Sequence, residues 1–132
     1  MVNRDLASNI SPAHSIAPDA DRTATATGAG VDLRGFDSAA AVVHFGAVTD
    51  GGWTPKLQES DDDSTYTDVA AADLVGEFVE AVAASDNTVQ CVGYRGNARY
   101  IRVVVEETTA STTGAEFGAV VVRGDPLQAP AA

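Results

Sequence analysis

A single cysteine, a single tryptophan and a single lysine (Cys91, Trp53 and Lys56) stand in a chain of 132 residues. One cysteine excludes an intramolecular disulfide, so packing and hydrogen bonds must hold the fold. Cys91 lies in Thr88-Val-Gln-Cys-Val at strand spacing, where a small thiol is expected to be buried and inert. No run approaches the roughly 18 apolar residues of a membrane span, and the N-terminus lacks the apolar centre of a secretory leader. A soluble protein made in the cytoplasm is the expectation. Basic residues are scarce: 8 Lys and Arg oppose 19 Asp and Glu, for a formal net charge of -11. Nucleic acid and anionic membranes both need a cationic surface, so neither is expected as a partner.

Signatures of chemistry are missing as well. His14 and His44 are the only histidines, and neither has a spaced partner for a metal site. Nothing in the sequence supports a Cys91–His44 nucleophile pair. Asp61-Asp62-Asp63 opens like a calcium loop, but Tyr66 and Ala72 occupy the positions that need glycine and a carboxylate. A solvated loop is the better reading. There is no glycine-rich phosphate loop and no nucleophile elbow. No cofactor is expected, and an enzyme is the least expected class. Arg123-Gly124-Asp125 matches an adhesion tripeptide, yet here it reads as a strand end followed by a turn.

What is present is β-strand pattern. From Arg99 to Glu106, alternation puts Ile101, Val103 and Val105 on one face and Tyr100, Arg102, Val104 and Glu106 on the other. Gly96-Asn97 predicts a hairpin joining this strand to Thr88–Tyr94. Ser38–Val48 reads as a central strand, and Trp53–Ser60 as a strand that Pro55 places at an edge or bulge. Thr23–Thr27 and Val31–Arg34 predict a first strand broken at Gly28–Gly30, and Arg34-Gly-Phe-Asp predicts the turn that follows. The stretch 68–84 predicts a short helical turn near 70–75, then a strand from Glu77 to Val82. Val120, Val121 and Val122 suggest a last strand, Ala115–Arg123, buried on both faces.

Together these predict one domain of all-β class, an antiparallel β-sandwich of jelly-roll-like type over residues 19–126. Residues 1–18 carry two prolines and only scattered Leu6, Ile10 and Ile16, and predict an extended N-terminal arm. Residues 127–132 predict an extended C-terminal tail. Arg95, Arg99 and Arg102 form the one basic cluster, suited to surface pairing with acids or to the acidic face of a neighbouring subunit.

Several phrases go further. Leu57-Gln-Glu-Ser-Asp-Asp-Asp-Ser-Thr-Tyr-Thr-Asp-Val, Gly93-Tyr-Arg-Gly-Asn-Ala-Arg-Tyr-Ile-Arg-Val-Val-Val and Arg123-Gly-Asp-Pro resemble small structural proteins of tailed bacteriophages. Asn3-Arg-Asp-Leu and Val31-Asp-Leu-Arg-Gly-Phe-Asp-Ser-Ala fit the same resemblance, which spans most of the chain. Within that group the chain is most similar to capsid decoration (cement) proteins. The resemblance implies a β-rich homotrimer on the virion surface, bound to the major capsid protein, with no catalytic residues. Candidate shell or inter-subunit contacts are then Asn3, Arg4, Leu6, Ile10 and Ile16 in the arm, and Arg95, Arg99 and Arg102. A neck or tail component (a head–tail connector or tube-like β-domain) is the alternative within virions. A carbohydrate-binding module is the alternative from another class, although exposed aromatics to serve it are few.

Overall fold

Period-two alternation along the longer segments divides the chain between two antiparallel sheets that face each other. The computed structural model describes residues 5–128. The strands are, in chain order, β1 (Ile10–Arg22), β2 (Ala26–Thr27), β3 (Val31–Asp32), β4 (Phe36–Val48), β5 (Gly52–Ser60), β6 (Thr67–Asp68), β7 (Leu74–Val75), β8 (Val89–Tyr94), β9 (Tyr100–Thr109) and β10 (Ala115–Pro126). The first sheet has the order β1-β10-β4-β8-β7; the second runs β2-β9-β5-β6, with β3 also on β9. The chain is thus an antiparallel β-sandwich, as its alternation predicts.

The core lies between the inner faces. Val43 and Phe45 of β4, Phe117 and Val121 of β10, Trp53 of β5, and Ile101, Val103 and Val105 of β9 are all buried. Phe117 sits between two other rings, 5.6 Å from Phe45 and 5.4 Å from Trp53 centroid to centroid, both tilted. Tilted pairs at this spacing are the favoured aromatic arrangement.

Five expectations need correction. Residues 10–18 are extended, but they lie inside the sheet rather than in an arm: β1 pairs with β10 from Ile10 onward. The cause is inward anchoring, since Ile16 joins the core and Ser15 bonds to the opposite sheet. The hairpin across Gly96-Asn97 does not form, because β8 pairs with β4 and β7 while β9 pairs with β5. Residues 95–99 form an arch between layers instead. The helical turn is present as Ala71–Asp73, but the strand after it is Leu74–Val75; the 77–82 stretch holds only a bridge from Ala81 to Trp53. Gly76, at φ +97, ends β7 there. Finally, Cys91 is exposed, and Val120 and Val122 are only half-buried, because all three point outward from the first sheet.

The two outer faces differ in chemistry. On the second sheet, Lys56 lies 2.7 Å from Glu106 and 3.4 Å from Asp68, and Arg102 donates to Gln58 at 2.9 Å. On the first sheet the outward row Pro12, Val122, Ala40, Gly93 and Val75 crosses all five strands. The next row is His14, Val120, Val42 and Cys91, followed by Gly118, His44 and Val89. None of these side chains is an acid, a lysine or an arginine.

Candidate interaction site

One end of the sandwich carries a groove of about 490 Å³ between the β3–β4 turn, the 95–99 arch and Leu127. Local chemistry shapes each wall. Gly35, at φ +92, closes the turn, where the Phe36 amide donates to Leu33 at 3.1 Å and the Leu127 amide donates to Gly35 at 2.9 Å. The arch is held by Tyr94, whose phenol donates to Glu59 at 2.6 Å and accepts from the Ala98 amide at 3.0 Å. A side chain at Gly96 would meet that phenol oxygen at 2.4 Å, so only glycine lets the arch fold over the ring. Burial, with the Glu59 carboxylate beside it, pushes the Tyr94 phenol well above its ordinary range.

Three arginines line the groove. Arg99 binds Asp32 through two parallel contacts of 3.0 and 2.9 Å. Those bonds hold the Asp32 carboxyl down at about 2. Arg34 and Arg95 are exposed and make no side-chain hydrogen bond or ion pair among the described residues. The Asp32 carboxylate is already committed to Arg99 and to the Arg34 amide at 2.9 Å. Two guanidinium groups are thus available to an outside anion, beside half-buried Phe36 and exposed Leu127. That arrangement suits a carboxylate-bearing segment of a protein partner, since the planar fork binds carboxylates bidentately.

Arg95 and Arg99 therefore meet at one groove, but Arg102 does not join them. It lies on the outer face of the second sheet, 3.9 Å above the Tyr66 ring. Leu6 is 66% exposed, Ile10 is half-buried at the start of β1, and Ile16, at 4% exposure, is a core residue. Asn3 and Arg4 lie outside the described residues. Arg34 is the groove residue that sequence reasoning missed; its only local signal is the turn Arg34-Gly-Phe-Asp. Arg123 is pinned, donating to Ser11 and to the Asp32 carbonyl at 3.0 Å, so its tripeptide is part of the strand end.

Nothing else among the described residues assembles into a centre for chemistry. They contain no group of three or more His, Cys, Asp or Glu side chains placed to hold a metal. In the acidic loop, Asp62 accepts from the Ser60 hydroxyl at 2.8 Å and from the Ser64 and Thr65 amides at 3.0 Å, which closes a turn.

No protein-family model matches the chain. No curated protein matches it either. Among solved structures, a chain of the Bacillus endospore appendages, which form a family of disulfide-linked pili, is similar over 91% of this chain and 90% of that one, at 16% identity and a TM-score of 0.46. A likeness of that degree conveys neither a function nor a partner.

Proposed function

We propose that this chain is a structural virion protein of a tailed bacteriophage, a decoration protein that binds the major capsid protein on the outside of the shell. The observation that supports it best is the groove, where Arg34 and Arg95 make no side-chain hydrogen bond or ion pair among the described residues, in a chain of net charge -11. An acidic protein that spends two unpaired guanidinium groups on one end is built to meet an acidic element of a partner there. The partner's class in this reading follows from the resemblance of the sequence phrases to phage structural proteins. The rest of the molecule suits the role: a sandwich with a ring-filled core and a second sheet whose outer face carries paired charges. A sugar-binding platform finds less support, because Trp53, Phe45 and Phe117 are all in the core.

The test is the copy number of this protein in purified virions relative to the major capsid protein, with binding of Arg34→Glu and Arg95→Glu chains to undecorated shells alongside. A ratio near one, with binding lost in both variants, supports shell decoration through the groove. A handful of copies per particle would move the protein to the neck or tail, and absence from the particle would overturn the virion reading.

A further inference from the structure

The outer face of the first sheet is the unusual surface of this molecule. A protein with 19 acids distributes them widely, yet the three outward rows that run through Val122, Val120 and Gly118 carry none. At the centre are Val42 of β4 and Val120 of β10, paired across the ladder and both half-buried. Toward β7 the face ends in Val75 and Val89, which are 53% and 66% exposed. Acids stand at its ends, with Glu116 exposed beyond Gly118 and Asp125 exposed beyond Gly124. An apolar centre with a charged rim is the anatomy of a protein interface, and monomers rarely leave a contiguous apolar patch of more than a few hundred Å² open.

We infer that this face pairs with the same face of a second copy across a two-fold axis. Charge selects the occupant. Two chains of net charge -11 repel through every acidic surface, and the centre of this face, with Asp19 and Glu116 only at its edge beside His44, lets them meet without opposing carboxylates. A partner recognised by charge would require complementary groups here, and the face offers none. Size permits the pairing. With the further row Ile10, Gly124 and Ser38, the outward positions at about 4.8 Å between strands and about 6.8 Å between rows cover roughly 500 Å² per copy. Two copies then bury about 1,000 Å², the lower bound for a specific interface. Geometry fixes the symmetry: a single self-matching patch closes as a dimer, whereas a homotrimer needs two different patches per copy. The inference is independent of the shell reading, since it concerns the free protein.

Light scattering on the purified full chain between 1 and 100 µM tests it, with Cys91 as an internal reporter because its exposed thiol lies on this face. The expected mass at the upper concentrations is twice the 13.5 kDa of one chain. Reaction of Cys91 with a bulky disulfide reagent should slow at least tenfold as the dimer forms. Val42→Glu and Val120→Glu place a carboxylate at the centre and should return the protein to monomer with an unchanged far-ultraviolet spectrum. Should either variant fail to fold, the concentration dependence of Cys91 reactivity in the unaltered chain decides alone. A monomer at 100 µM with an open thiol, a trimeric mass, or a dimer that survives both substitutions would each overturn the inference.

Discussion

The hydroxyl of Ser15 accepts a hydrogen bond from the Val103 amide at 2.9 Å and donates one to the Ala29 carbonyl at 3.0 Å. Ser15 belongs to β1 in the first sheet and Val103 to β9 in the second, so one buried side chain sews the two layers together. Gly28 makes the approach possible: a Cβ there would lie 2.3 Å from the Ser15 oxygen and 2.6 Å from the Val103 carbonyl. The N-terminal strand is therefore fixed at its middle by polar bonds as well as by Ile16.

Removing that hydroxyl should cost about 1–3 kcal/mol, because Ser15→Ala leaves the buried Val103 amide without its acceptor. The measurement is the urea midpoint of the variant against the parent. Amide exchange should report the loss locally, with faster exchange along β1 than along β5. An unchanged midpoint would mean that water replaces the hydroxyl freely and that the stitch contributes little.

Phe117 should prove the most sensitive aromatic position, since its ring contacts both Phe45 and Trp53. Phe117→Ala is expected to lose about 3–5 kcal/mol, the usual range for emptying an aromatic core site. Trp53, fully buried in the parent, supplies the optical check. Its emission should move to longer wavelength if water reaches the emptied site. A loss below about 1 kcal/mol with unchanged emission would show that the core collapses to fill the space.

Period-two pattern made the sandwich legible, and it failed where partners are chosen at long range. Ile101, Val103 and Val105 point inward as alternation dictates, yet outward Val104 is only 4% exposed, squeezed between neighbours on β2 and β5. The Gly96-Asn97 turn signal is local, but β9 is claimed by nine residue pairs with β5, which outweigh a two-residue preference. Pro12 read as an arm signal. On β1, an edge strand, a missing N–H costs no ladder bond on the open side. Cys91 defied the tendency of thiols to be buried because, among the described residues, no layer covers the outer face of its sheet. The groove was illegible for a similar reason: Arg34 and Arg95 lie far apart in sequence and meet only once β3 and the arch reach the same end of the sandwich.

Acid should loosen the fold through two carboxylates in particular. Asp50 accepts the amides of Gly114, Thr112 and Thr113, closing the loop between β9 and β10, and these bonds hold its carboxyl below the ordinary range. Asp32 is held at about 2 by its bonds to Arg99. A carboxyl whose folded pKa is depressed contributes stability that is fully present above its unfolded value, near 3.9, and is lost as pH falls through the folded value. For Asp32 the loss therefore falls between about pH 4 and about pH 2. Both groups lie at the surface, so solvent screening keeps the effect modest. Protonation of the other acids also relieves repulsion, but it does so equally in parent and variants. The informative quantity is thus the difference between curves. Urea midpoints measured from pH 7 to pH 2 should fall less steeply in Asp32→Asn and Asp50→Asn than in the parent, and the curves should converge near pH 2. Parallel curves across the whole range would mean that neither pairing is specific to the folded state.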